Sequence, residues 1–454
     1  MSDAVLLHRL QFAFTIVYHY LFPNLTMGLA FLIVVMKALG LRRGGERWND
    51  AARFWIRILG INFAVGVVTG VPMEFQFGTN WARFSAYAGN VVGHTLAMEG
   101  LFAFFLESSF LGVLVFGERR LSRRAHFAAA VALFLGAWLS GYFIVATNAF
   151  MQHPAGHAVG PDGHLVLADF GAFVWSPWAL AEYAHNMVAT VVTASFVVAA
   201  LGAFYLLQRV HEDTARLFVR LGVYAGLVSS VLVAFPTGDA QAKLVARHQP
   251  VALAAMEGRF ESGPHAPLNL IGQPNVPARR LDNPVHVPGL LSFLAFGHTR
   301  STVEGLDAFP ESDWPDNIPL LYYSFHIMAG LGTIMVGIMG LAALLAWLGR
   351  LERVRPMLWI LMMSFPFPYI AVTAGWMTAE LGRQPWTVWG LQRTADATSP
   401  SVHAGTTLFT LIGFCGLYLV LGVLYLFLVA REIAHGPAKA PSAENVRAGV
   451  PGHA

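Results

Sequence analysis

The sequence predicts an all-α integral membrane protein: nine transmembrane helices, with the N-terminus outside and the C-terminus in the cytoplasm. Three observations carry this reading. Only 12% of the 454 residues are charged and 56% are hydrophobic, about half the charge of a soluble chain, in which roughly 25% of residues are ionic. Apolar runs of about 20 residues recur, each long enough to cross about 30 Å of hydrocarbon. Finally, Lys and Arg concentrate in alternate loops, as the positive-inside rule requires.

The first run, about 10–40, is too long for the apolar region of a cleavable signal peptide and reads as span 1. The others lie at about 54–77, 94–116, 126–147, 178–207, 217–236, 319–347, 357–380 and 403–430. Gly and Pro within them are tolerable because neighbouring helices satisfy freed backbone groups. Loop 1–2 carries Arg42, Arg43, Arg47 and Arg53, and loop 3–4 carries Arg119, Arg120, Arg123 and Arg124. Arg209 and Arg216 lie in loop 5–6, and Arg350, Arg353 and Arg355 in loop 7–8. The intervening loops are poor in both residues: loop 2–3 has Arg83, and 148–177 has neither Lys nor Arg. The basic loops therefore face the cytoplasm, and the tail bearing Arg431 and Lys439 joins them.

Four segments follow: spans 1–6 at 1–236, a long outer loop at 237–317, spans 7–9 at 318–430, and a tail at 431–454. A connection as long as 237–317 is usually functional or disordered. The Ala, Gly and Pro content of the tail predicts disorder. A net charge of +3 is too small to suggest a nucleic-acid partner. One cysteine, Cys415, excludes an internal disulfide and any Cys-rich zinc or iron–sulfur site.

Ionisable groups inside hydrocarbon are costly and by default mark function. His19, His185 and His326 lie within spans, as does Met328. Glu74, Glu99, Glu107, Glu182 and Glu380 lie at or within them. His19 is about nine residues, or about 14 Å, from the outer end of its span. His185, His326, Met328, Glu99 and Glu380 share that outer half. A shared depth suits haem ligands better than scattered packing histidines, and His with Met is a known axial pair for an electron-transfer haem. Glu99 and Glu107, roughly 80° apart around an ideal helix, suit a proton relay, a haem-side acid, or neutral structural carboxyls.

Five stretches then resemble one family. They are Arg9–Phe22 around His19, Thr69–Trp81 (TGVPMEFQFGTNW), Met98–Ser108 around Glu99 and Glu107, Gly238-Asp239 with Leu253–Glu257, and Gly375–Trp386 (GWMTAELGRQPW). In order and specificity they resemble the large subunit (subunit I) of cytochrome bd quinol oxidase over nearly the whole chain. The resemblance implies a low-spin haem b (b558 type) held by His185 and Met328. It also implies a high-spin haem b (b595 type) and a haem d, a place that haem b takes in some members, with His19 and Glu380 as the axial ligands and Glu99 beside them. Which ligand serves which haem stays open. Glu107 matches a proton-path acid, and Trp376, Arg383 and Trp386 match residues around the haems. The loop at 237–317 matches the quinol-binding loop in its shorter form, with Glu257 as the matching acid.

Two positions depart from the family pattern. Ala252 stands where a lysine is common, which shifts quinol anchoring to His248 or Arg247 or makes that contact dispensable. His326 stands where an arginine is common, two residues before Met328. The resemblance implies a multi-pass protein of the bacterial cytoplasmic membrane. It would oxidise ubiquinol or menaquinol at the outer face and reduce oxygen to water without pumping, alongside a second large subunit and small single-span subunits. The proton acceptor at Glu257 is expected to be partly exposed. Read without the resemblance, the same residues would also suit a proton-coupled transporter using Glu99 and Glu107, or a haem-binding scaffold. The lack of an internal repeat disfavours the transporter.

Overall fold

A computed structural model describes residues 3–437. The tail from 438 onward lies outside the described residues. Among the described residues, nine helices are long and apolar enough to cross a membrane: Ala4–Gly40, Glu46–Thr79, Ala82–Phe116, Arg123–Gln152, Phe170–Gln208, Glu212–His248, Ile318–Trp347, Arg355–Gly382 and Ala404–His435. They are called spans 1 to 9. Most exceed their apolar runs because polar and aromatic turns extend them past the hydrocarbon. Span 3 starts at Ala82 rather than near 94. Span 9 runs to His435, five residues into the segment read as tail.

Span 5 lies at the centre and is mostly buried, whereas span 9 presents nearly all of its apolar surface outward. One core cluster joins spans 1, 2, 5 and 6 through Leu29, Phe54, Trp55, Ala194 and Phe218. A second joins spans 5 to 8 through Phe196, Val219, Met339 and Leu358. Lipid tails are as apolar as these side chains, so close backbone approach rather than hydrophobic transfer holds such a bundle. At Gly28 of span 1, an added Cβ would lie 2.0 Å from the Thr190 carbonyl oxygen of span 5. Between spans 5 and 6, a Cβ at Gly222 would lie 2.6 Å from Ser195 O.

Four spans are not single regular helices: span 5 breaks at Trp175 and Ser176, span 8 at Ser364 and Phe365, and spans 3 and 6 also depart from regular geometry. Span 3 opens into a π-helical turn at Glu99–Ala103. Span 6 breaks at Val233–Gly238, where Phe235 leaves helical geometry, and resumes as a helix over Asp239–His248. The loop expected from residue 237 therefore begins one helix later.

The connection between spans 6 and 7 is folded. It contains a short helix at Pro250–Met256, a hairpin of β1 (Leu268–Asn275) and β2 (Arg280–Val287), and a helix at Leu290–Phe296. Leu253, Met256, Phe260, Leu291 and Leu306 form its core, which continues into Ile318 and Leu321 of span 7. At the opposite end of the bundle, the arginine-rich loops are tied by ion pairs. Arg53 reaches both Asp50 (2.7 Å) and Glu118 (2.8 Å), and Arg220 reaches Glu352 (2.7 Å).

Gly28→Val should lower the thermal unfolding midpoint of the detergent-solubilised protein, with a cost of at least about 1–3 kcal/mol from overpacking. Gly337→Val, where an added Cβ meets nothing within 4 Å, should leave the midpoint unchanged.

Candidate functional site

Burying a polar side chain in hydrocarbon is tolerable only with a partner, so the partners define the site. His19 of span 1 faces Thr69 of span 2, with Nδ1 3.1 Å from Oγ1. Thr69 spends its hydroxyl proton on the Val65 and Gly66 carbonyls one turn back, at 2.9 and 3.0 Å. Its oxygen can then only accept, so His19 Nδ1 carries the proton and Nε2 keeps a lone pair. His185 of span 5 repeats this arrangement. Thr237, in the break of span 6, donates to Leu232 O (2.9 Å), and its Oγ1 lies 3.4 Å from His185 Nδ1. Fixing one ring nitrogen by an outer partner is how a metal-binding histidine is oriented.

Three of the candidate ligands, His19, His185 and Met328, also rest against a glycine of the neighbouring span. An added Cβ at Gly70 would lie 2.8 Å from His19 Cε1, and one at Gly375 would lie 2.9 Å from Met328 Sδ. At Gly238 the corresponding distance to His185 Cε1 is 3.4 Å. A larger residue at 70 or 375 would push His19 or Met328 from its place, whereas one at 238 would meet the His185 ring at ordinary van der Waals distance.

Glu380 ends span 8, as expected, and is held by two spans. Oε1 accepts from Asn148 Nδ2 of span 4 at 2.8 Å, and Oε2 pairs with Arg383. Arg383 is buried, and its Nε and Nη1 have no partner in the protein. Glu182 lies nearby, within electrostatic reach of both Glu380 and Arg383. It is buried and accepts from Trp178 Nε1 at 3.1 Å. Trp376 is half-buried on span 8, one residue from Gly375. Trp386 lies apart in a short strand, where the Arg393 guanidinium covers its ring at 4.5 Å.

The π turn alters the geometry of span 3. It absorbs one extra residue, so Glu99 and Glu107 fall within roughly 20° of each other instead of 80°. The two carboxylates thus lie on one face and interact electrostatically. Glu99 accepts from Ser140 Oγ of span 4 at 2.8 Å. Glu107 is buried and packs under span 4 where Gly136 leaves room for its backbone.

Glu257 departs from expectation: it is 1% exposed, not partly exposed. It follows the Pro250–Met256 helix, beneath the hairpin. Its Oε2 is buried without a protein partner, and burial pushes its carboxyl up to about 8. Gly258, at φ +61°, turns the chain there and lies against Tyr322 of span 7, where an added Cβ would be 3.1 Å from the ring. Tyr322 is also buried, and its hydroxyl lacks a partner. Asn269 of β1 donates from Nδ2 to Glu257 O at 2.7 Å.

Ala252 is buried, with its Cβ 3.4 Å from where a side chain at Gly382 would begin. Arg247 and His248 are exposed on the helix preceding the loop. His248 stacks near His153, with centroids 4.4 Å apart, and lies apart from the contacts that hold Glu257.

Sequence reasoning missed Thr69, Thr237, Ser140, Asn148, Tyr322 and Asn269. Hydroxyls and amides are common in spans, and nothing in their spacing distinguishes those that meet a histidine or carboxylate. Among the described residues, no three His, Cys, Asp or Glu side chains converge as a bare metal ion would need. One-ligand sites with oriented imidazoles suit an iron that brings its own macrocycle. Buried, unpartnered guanidinium donors at Arg383 suit a carboxylate-bearing group beside it. The residues therefore fit haem.

The comparisons agree. The family model described as cytochrome bd terminal oxidase subunit I matches residues 7–437. The cytochrome bd ubiquinol oxidase subunit 1 of Bacillus subtilis is 36% identical over 96% of this chain and 94% of its own length. The cytochrome bd-II ubiquinol oxidase subunit 1 of Escherichia coli is 32% identical over 96% of this chain and 98% of its own. The solved bd oxidase from Geobacillus thermodenitrificans superposes with a TM-score of 0.88 at 31% identity, covering 96% of this chain and 99% of that one.

An infrared difference spectrum between wild type and Glu257→Gln should contain a protonated-carboxyl band at pH 6 that is lost as pH rises through about 8. A difference spectrum without that band at pH 6 would contradict a neutral, buried Glu257.

Proposed function

The chain belongs to the cytochrome bd terminal oxidase subunit I family, and on that premise we propose that it oxidises quinol beside the folded loop between spans 6 and 7 and delivers electrons and protons to an oxygen-reducing site within the bundle. As a member it is a haem-containing, multi-pass protein of the bacterial cytoplasmic membrane. The observation that carries the finer reading is Glu257: a fully buried carboxyl with an unpartnered oxygen, at the foot of the loop and against span 7.

His185 and Met328 hold the low-spin haem b, of the b558 type. His19 and Glu380 hold the two high-spin haems, a b595-type haem b and haem d (or haem b in its place), and Arg383 offers its free donors to a propionate. When bound, these groups supply the electron transfer and the reduction of oxygen. The protein's own residues do the rest. Thr69 and Thr237 keep Nε2 of His19 and His185 available, and the glycines fix where each ligand points.

Glu257 Oε2 accepts a hydrogen bond and then a proton from the quinol hydroxyl. A carboxyl titrating near 8 is well matched to this task, because a general base works best with a pKa near the operating pH. Glu99 and Glu107, aligned by the π turn, carry protons from the basic-loop end of the bundle towards the oxygen site. Trp376 packs beside Gly375 next to Met328. The basic loops face the cytoplasm, so the N-terminus and the quinol loop lie outside. Proton release there and uptake within build a gradient without pumping. A second large subunit, with small single-span subunits, covers the apolar faces of the outermost spans.

Two other readings stay weaker. A proton-coupled transporter would not need oriented imidazoles notched against glycines. A non-catalytic haem scaffold would not need Glu257 buried and unpaired under a folded loop.

Purified complex should consume oxygen with ubiquinol or menaquinol as donor. Its kcat/KM should rise with pH to a plateau above about 8, as Glu257 loses its proton and becomes able to accept one. In Glu257→Gln this ascending limb should disappear and quinol oxidation should fall by about 100-fold, the scale of losing a general base, while oxygen binding to pre-reduced protein is retained. Equal loss of both would remove Glu257 from the quinol site.

A further inference from the structure

The loop has its own small core, yet it must hold Glu257 in fixed relation to the helix that carries Met328. Its attachment to span 7 runs through few polar contacts. His326 Nε2 lies 2.7 Å from Asn269 O in β1. A carbonyl oxygen can only accept, so this contact is a hydrogen bond when Nε2 carries a proton, as the staple requires. The same Asn269 donates through its side chain to Glu257 O at 2.7 Å. His326 Nδ1 lies 2.8 Å from the Tyr322 carbonyl oxygen one turn back, so a neutral ring donates to one of the two carbonyls at a time. Its ring stacks on the Tyr322 ring, with centroids 3.9 Å apart and planes 28° apart. Tyr322 in turn lies against Gly258, next to Glu257.

These contacts form a closed circuit: His326 to Asn269, Asn269 to Glu257, Gly258 to Tyr322, and Tyr322 back to His326. The circuit adds polar ties between three chain segments that also share an apolar core. Without it, β1 would keep its pairing with β2 but lose its polar tie to span 7. Two buried oxygens that lack protein partners, Glu257 Oε2 and Tyr322 Oη, belong to residues within the circuit.

We infer that His326 is a positioning residue for quinol oxidation: it staples the hairpin to span 7 and so sets where Glu257 stands relative to the Met328 helix. The inference rests on the proposed role of the loop in binding quinol. A histidine at this position serves the staple through its reach and the Nε2–H that it directs at Asn269 O. The tie is to the loop rather than to the iron, which separates His326 from Met328 two residues later.

His326→Phe keeps a ring to stack on Tyr322 and removes the donor. His326→Gln replaces the ring with an amide that can donate to Asn269 O. Hydrogen–deuterium exchange on the purified complex should be about five- to tenfold faster over residues 268–275 in His326→Phe, the scale of one lost buried hydrogen bond. The KM for a short-tailed benzoquinol should rise by a similar factor, with kcat within about twofold of wild type and the reduced low-spin haem band retained. His326→Gln should recover most of both effects. Unchanged exchange over 268–275 in His326→Phe would overturn the staple. So would loss of the low-spin band with hairpin exchange intact, which would place His326 at the haem instead. If Glu257→Gln leaves quinol KM and rate unaltered, the quinol reading of the loop fails, while the exchange measurement still decides the staple.

Discussion

Every feature of this bundle follows from one constraint: a polar side chain in hydrocarbon needs a fixed partner from another span. Thr69 holds His19, Thr237 turns towards His185, Asn148 and Arg383 hold Glu380, and Ser140 holds Glu99. The Thr69, Thr237, Asn148 and Ser140 contacts each order a side chain and join two helices, whereas the Arg383 pair lies at the end of span 8 itself. The groups proposed to carry chemistry thus also specify how the spans are arranged. Where a buried donor or acceptor has no protein partner, as at Arg383 and Glu257, the site is suited to a group that the protein binds.

Close packing makes those pairings possible. Glycines at 28 and 222 bring span 5 against its neighbours, and those at 70, 238 and 375 let the ligand side chains lie flat on the next helix. Departures from regular helix serve the same end. The π turn in span 3 swings Glu107 onto the face of Glu99, and the break in span 6 presents Thr237 and Gly238 to His185. A straight helix in either place would point these groups elsewhere.

The nine spans were legible because hydropathy and helix length are properties of single segments. That His19, His185, Met328, Glu99, Glu107 and Glu380 lie in the spans was legible from hydropathy, and the resemblance to one oxidase family supplies the roles proposed for them. Other features depend on tertiary contact and leave no local signal. Nothing in EGLFA announces a wide turn, and the polar stretch after Gly238 hid a helix. Glu257 was expected to be partly exposed, because a carboxylate in a proline-rich loop usually meets water. It is buried because the loop folds its own core over it. Trp386, grouped with the haem surroundings by its motif, donates its backbone N–H to the Arg383 carbonyl oxygen and lies under Arg393, a contact made by a strand pair rather than by proximity in sequence.

The central claim is that isolated histidine, methionine and glutamate side chains, each oriented by a partner from a neighbouring span, hold haem iron. A reduced-minus-oxidised spectrum with haem extraction, run on wild type and Met328→Leu, tests it most directly. Wild type should yield three haems, one of them low-spin, and Met328→Leu should lose the low-spin band while keeping the high-spin ones. Wild-type protein without haem, or an intact low-spin band in Met328→Leu, would contradict it.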